Sequence, residues 1–119
     1  MAVRKGFHSV TPRLVCDDPL GLVTFLQRVF DATGELPEDS PAEMEIGDSI
    51  VMVSRTGPRA ATNSFLYVYV DDVDATFRRA LDAGAMCVEE PAEMPWGDRR
   101  AMVADPYGND WQIASCGEV

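Results

Sequence analysis

Residues 65–85 read FLYVYVDDVDATFRRALDAGA, a strand that passes into a helix. Phe65 to Val70 is aromatic and β-branched without a breaker, as a buried strand should be. Alternation puts Phe65, Tyr67 and Tyr69 on one face and Leu66, Val68 and Val70 on the other. Asp71 or Asp72 then caps a helix whose apolar residues Val73, Phe77, Ala80, Leu81 and Gly84 fall at i, i+4, i+7, i+8 and i+11. Gly84 closes it as the residue after the C-cap.

The same arrangement occurs earlier in the chain. Leu14-Val15-Cys16-Asp17-Asp18 precedes a helical pattern ending in Arg28-Val29-Phe30-Asp31-Ala32, the counterpart of Arg79-Ala80-Leu81-Asp82-Ala83. The aspartate pairs are 54 residues apart (17 to 71) and the helix ends 51 apart (28 to 79), so the first helix is longer by three residues, about one turn. A hairpin also repeats: Ile46-Gly47-Asp48-Ser49-Ile50-Val51-Met52-Val53-Ser54 lies over Tyr107-Gly108-Asn109-Asp110-Trp111-Gln112-Ile113-Ala114-Ser115. The chain of 119 residues is therefore expected to be a single domain of two β-α-β-β-β modules, about 7–57 and 64–116.

Taken in order, Val10 to Cys16 is a strand with Thr11, Arg13 and Val15 on one face, and Pro12 inside it marks an edge or an unpaired position. Asp18-Pro19 is an N-cap with a first-turn proline, and the helix buries Leu22, Phe25, Leu26, Val29 and Phe30. Thr33 to Pro41 holds a short strand or only a loop. Glu43–Ile46 and Ser49–Ser54 form a hairpin across Gly47-Asp48, and Arg55–Asn63 is an exposed, mobile connection. Met86–Glu90, Arg99–Ala104 and Asp110–Ser115 are strands, with a loop at Pro91–Gly97 tipped by Trp96 and a turn at Asp105–Asn109. Two half-sheets of this kind cannot each cover an apolar face, so they are expected to join into a curved, eight-stranded mixed sheet of the α+β class, with helices outside and a concavity inside. Phe65, Tyr67 and Tyr69 then line the concavity, and Trp111 points at the helix.

Hydrophobic residues at 46% fill one core, and no run approaches the ~20 apolar residues of a membrane span. The opening MAVRKGFH has no apolar h-region, so a cytoplasmic location is expected. Cys16, Cys87 and Cys116 lack metal or redox spacing and read as reduced, mostly buried thiols. A net charge of −10, from 20 acidic and 10 basic residues, argues against nucleic acid and suits a neutral or cationic ligand, although solubility alone accounts for it.

The tandem modules with VDDVDATFRRALDAGA, PWGDRR and DPYGND together resemble the vicinal oxygen chelate superfamily, which includes glyoxalase I, extradiol dioxygenases, fosfomycin-modifying enzymes and bleomycin-resistance proteins. TNSFLYVYV followed by PWGDRRAMVADPYGN is most similar to the bleomycin-resistance and PhnB-like branches. The resemblance implies a homodimer that pairs modules across subunits. It also implies metal ligands, usually His and Glu, on the first and last strand of each module. Counted from the aspartate pairs, those places fall on Thr11, Phe65, Val51 and Gln112. Phenylalanine and valine have no lone pair to donate, and one hydroxyl with one amide does not hold a divalent transition metal. No metal and no cofactor are expected, which puts glyoxalase, dioxygenase and thiol-transferase chemistry in doubt and leaves enzymatic activity an open question.

Acid–base candidates are few. His8 is the single histidine and belongs to no motif; Glu43 and Glu45 share a strand face but suit a solvated edge. The aromatic residues carry more. Phe65, Tyr67, Tyr69 and Trp96 form a wall that stacks planar ligands or attracts cations, each contact contributing roughly 0.5 to 2 kcal/mol, against ordinary core packing as the plainer explanation. The expected small-molecule pocket is Thr11, Arg13, Phe65, Tyr67, Tyr69, Trp96 and Gln112, with no assigned catalytic residue. Three functions follow: a metal-free binding protein that sequesters a bleomycin-like antibiotic; a lyase, isomerase or dioxygenase-like enzyme with a non-standard site such as Glu43 and Gln112; or a regulatory scaffold that binds nothing. Arg13 also makes an anionic ligand a rival to a cationic one.

Overall fold

The computed structural model describes residues 2–117, and the chain divides into two units, Met1–Thr62 and Asn63–Val119. The first unit contains β1 (Arg13–Cys16), α1 (Pro19–Phe30), β2 (Ala42–Ile46) and β3 (Ser49–Arg55). Asp18 caps α1 by accepting the Gly21 N–H at 3.0 Å, and Pro19 suits the first turn because its missing N–H has no partner to lose there. Asp31 ends the helix with a left-handed backbone, φ 56°. β1 runs parallel to β3 with Arg13 opposite Met52, and β2 runs antiparallel with Ile46 opposite Ser49 across the Gly47-Asp48 turn. Leu14, Cys16, Ala42, Met44, Val51 and Val53 are buried on the sheet face that meets Leu22, Phe25, Leu26 and Val29 of α1.

The second unit contains β4 (Phe65–Tyr69), α2 (Val73–Asp82), β5 (Met86–Glu93), β6 (Asp98–Ala104) and β7 (Asp110–Cys116). Its strand order is β4-β7-β6-β5, with β4 and β7 parallel. Asp72 is the cap, accepting the Ala75 N–H at 3.1 Å, and Gly84 (φ 101°) turns the chain so that the Ala85 N–H reaches the Ala80 carbonyl at 3.0 Å. Trp111, Ile113, Ala101 and Val103 are fully buried on the face that meets α2. Thr76 is buried in α2 where Phe77 and Leu81 were expected; Phe77 is half-buried and Leu81 is 37% exposed.

Eight strands in one curved sheet are not what the described residues form: there are seven, in sheets of three and four. The missing strand is the Thr33–Pro41 segment, where Thr33 and Glu45 make one bridge through hydrogen bonds of 3.1 and 2.8 Å. Gly34 then turns the backbone to φ 130°, and Pro37 and Pro41 offer no N–H to a ladder. β1 likewise begins at Arg13 rather than Val10, since Pro12 supplies only its carbonyl, to the Met52 N–H at 2.9 Å. β5 continues through Pro91 where a loop was expected. It is the outer strand, and its register shifts between Cys87 and Ala92.

The connection after β3 is exposed but tied at both ends to β1. Thr56 donates its N–H to the Cys16 carbonyl at 3.2 Å and its hydroxyl to Asp17 at 2.9 Å. Thr62 donates its N–H to the Val15 carbonyl at 2.9 Å, and its Oγ1 accepts the Val15 N–H at 3.1 Å.

Candidate functional site

The strand alternation sends Phe65, Tyr67 and Tyr69 to the sheet face opposite α2, where they are 66%, 38% and 62% exposed. Register brings side chains of the neighbouring strands onto that face. Tyr67 stands opposite Gln112, and Gln112 opposite Met102, which faces Glu89. Tyr69 heads a second row through Ala114 and Arg100. Trp96 enters from the Met94–Gly97 turn, closed by a Gly97 N–H to Met94 carbonyl bond of 3.0 Å, and is 59% exposed.

Asp98 holds this face together. It is 3% exposed, and its Oδ2 accepts the Tyr67 hydroxyl at 2.6 Å and the Tyr69 hydroxyl at 2.9 Å. The two rings lie 5.4 Å apart at 58°, a tilted pair held by their shared acceptor. These hydrogen bonds, Tyr67's first, with help from the Trp96 N–H and the Arg100 charge, keep the Asp98 carboxyl below its ordinary range against the opposing effect of burial. The phenols shift the other way: burial and then the Asp98 bond raise Tyr67, and the Asp98 bond and then burial raise Tyr69. Arg100 lies over the Trp96 ring at 5.4 Å, pairs with Glu89 at 3.3 Å, and has a buried Nε without a partner.

Five of the seven expected pocket residues, Phe65, Tyr67, Tyr69, Trp96 and Gln112, thus belong to one face of the second unit. Thr11 and Arg13 belong to the first unit: Thr11 is half-buried just before β1, and Arg13 donates to the Ser54 hydroxyl at 2.9 Å. Asp98 and Arg100 were overlooked as site residues. Their even spacing from Trp96 was the available signal, because a strand starting at Asp98 puts 98, 100 and 102 on one face.

Val51 requires a correction. Arg13 and Tyr67 each precede the aspartate pair by four residues; Tyr67 faces Gln112, but Arg13 faces Met52. The place matching Gln112 is therefore Met52, and Val51 points into the core at 6% exposure. A one-residue slip between the repeated hairpins exchanges the faces. The residues at the superfamily's ligand places become a threonine, a phenylalanine with no lone pair, a methionine thioether and a carboxamide. No group of three or more His, Cys, Asp or Glu residues gathers among the described residues. This donor set does not fit a divalent metal.

Residues 8–113 match the Glyoxalase/Bleomycin resistance protein/Dioxygenase superfamily. The chain belongs to that superfamily. Among relatives, the Mycobacterium bovis protein Mb0911c is 32% identical over 88% of this chain and 81% of its own length. The crystal structure of TioX from Micromonospora sp. superposes with a TM-score of 0.77 at 32% identity, covering 91% of this chain and 98% of TioX. A superfamily enzyme from Burkholderia phytofirmans shares the fold at TM-score 0.75 with 19% identity, over 88% and 95% of the two chains. Among the described residues no helix is long and apolar enough to cross a membrane.

The Asp98 clamp has a titration signature. A depressed carboxyl favours the folded state above its unfolded value of 3.8, and that stability disappears as pH falls through the lower folded value. Raised phenols favour folding fully below their ordinary 10.0 and lose the contribution as pH climbs through the higher folded values. Ultraviolet titration should show two tyrosines ionising late, and Asp98→Asn should bring both down. An unchanged curve in the variant would mean that the clamp does not exist in solution.

Proposed function

We propose that this superfamily member binds a planar organic molecule, neutral or cationic, on the aromatic face of its second unit without a metal, and sequesters it rather than transforming it. The supporting observation is the exposed Phe65, Tyr67, Tyr69 and Trp96 set, in which the buried Asp98 carboxylate holds Tyr67, Tyr69 and Trp96 by hydrogen bonds. The phenol hydroxyls are spent as donors to Asp98, so they present ring surface and oxygen lone pairs outward, an arrangement that suits stacking and cation contact. Neither ionisable type is poised for proton transfer at neutral pH, because Asp98 shifts down and the tyrosines shift up. Gln112 supplies a carboxamide within the same row. A bleomycin-like antibiotic is the ligand that superfamily membership suggests, with resistance by sequestration as the consequence, and a cytoplasmic homodimer as the acting form.

Thermal-shift and tryptophan-fluorescence titrations with bleomycin and with smaller planar cations test this reading. At 100 times its Kd a ligand adds about 2.7 kcal/mol to stability. Trp96→Ala and Tyr67→Ala should each reduce the shift, while sedimentation should give the mass of two chains. A bleomycin shift that survives both substitutions would place the ligand elsewhere.

A further inference from the structure

The first unit carries a separate feature that the aromatic face does not explain. Arg13, Ser54, Arg55 and Arg59 border a depression of about 270 Å³ whose remaining lining is Val15 and Pro58. Three of the chain's 10 basic residues thus meet where no carboxylate lines the wall, in a chain with 20 acidic residues. Among the described residues none of the three guanidinium groups makes an ion pair. Isolated surface arginines would be unremarkable, but here the backbone places them. Arg13 is on β1 and held by Ser54; Arg55 ends β3 opposite Cys16; and Arg59 is carried by the connection tied to β1 at Thr56 and Thr62. A Gly57 N–H to Arg59 carbonyl bond of 3.2 Å tightens that loop.

We propose that this depression is an oxyanion site, taking a carboxylate or phosphoryl group with a short apolar body. Guanidinium forks match the paired oxygens of either group, the Ser54 hydroxyl adds a further polar contact, and Val15 and Pro58 face the apolar part. The depression has room for a small organic anion. A neighbouring depression shares Arg13, Ser54 and Arg55 but includes Glu38 and Asp39, so repulsion directs the anion to the Arg59 side. The site lies wholly within the first unit and stands or falls separately from the aromatic face.

Calorimetric titration of the intact protein with inorganic phosphate and with butyrate, at fixed low ionic strength balanced by chloride, tests it. At least one should bind with millimolar or tighter Kd. Phosphate alone would assign a phosphoryl site, and butyrate alone a carboxylate site. Arg55→Gln and Arg59→Gln, both at exposed positions, should each weaken binding roughly tenfold, the scale of one charge-assisted hydrogen bond. Arg28→Gln on α1, which removes the same charge outside the depression, should leave Kd within about twofold. Unliganded melting temperatures of the variants separate lost binding from lost fold. Failure of both anions to bind, or equal weakening by Arg28→Gln, overturns the proposal.

Discussion

Asp105→Ala is expected to lower the unfolding free energy by about 3 to 5 kcal/mol, because it orphans several buried donors at once. Asp105 is 7% exposed and closes the β6–β7 turn with both carboxylate oxygens. Oδ1 accepts the backbone N–H groups of Tyr107 at 2.7 Å and Asn109 at 3.0 Å. Oδ2 accepts the Asn109 side-chain amide at 2.9 Å and the Trp111 indole N–H at 2.7 Å. Trp111 is fully buried and Asn109 is 2% exposed, so neither donor has a ready route to water. Asp105→Asn keeps one acceptor oxygen but points an NH₂ at other donors, and should cost about 2 kcal/mol or more. Urea unfolding with an unchanged m value reads both effects. A loss under about 1 kcal/mol for the alanine variant would show that the turn is held by other means.

Gly34→Ala should be nearly as damaging, at about 3 kcal/mol. A left-handed backbone at φ 130° is open to glycine and strained for any other residue. Space is also lacking: an added Cβ would sit 2.4 Å from the Glu43 carbonyl oxygen and 2.9 Å from the Met44 sulfur. The sulfur is flexible, but the carbonyl is part of β2 and cannot yield without disturbing the pairing with β3. Gly47→Ala provides the contrast. Its φ of 57° is also left-handed, but nothing lies within 4 Å of the new methyl, so about 1 kcal/mol is expected. Equal losses from the two variants would mean that backbone strain alone matters and that the Glu43 contact is relaxed in solution.

Most helices, strands and faces were legible because their signals were local. Asp18 and the Asp71-Asp72 pair announced the two helix starts, and period-two alternation placed Phe65, Tyr67 and Tyr69 opposite Leu66 and Val68. What was not legible depended on contacts between distant residues. Thr33 could pair only as far as Gly34 allowed, and the carbonyl that confines Gly34 belongs to Glu43. The alignment of Val51 with Gln112 failed because hairpin loops of different lengths shift the register, and only pairing with β1 and β4 reveals the slip. On the aromatic face the rings were apparent from composition, but the carboxylate that organises them was not. Nothing in Asp98-Arg99-Arg100 as a string distinguishes the aspartate that accepts two phenols from the arginine that crosses to Asp74 on α2 at 2.9 Å.

The parallel pairings have a consequence for synthesis. Arg13 meets Met52 and Phe65 meets Asp110, so the first strand of each unit waits for one 39 or 45 residues later. In the second unit the late arrival, β7, is an inner strand with β4 on one side and β6 on the other. Until β7 has emerged and docked, β4 and β6 both present open edges. The first unit can close as soon as Thr62 is free to reach Val15. Any delay before β7 docks therefore exposes aggregation-prone strand edges that its pairing with β4 and β6 later removes.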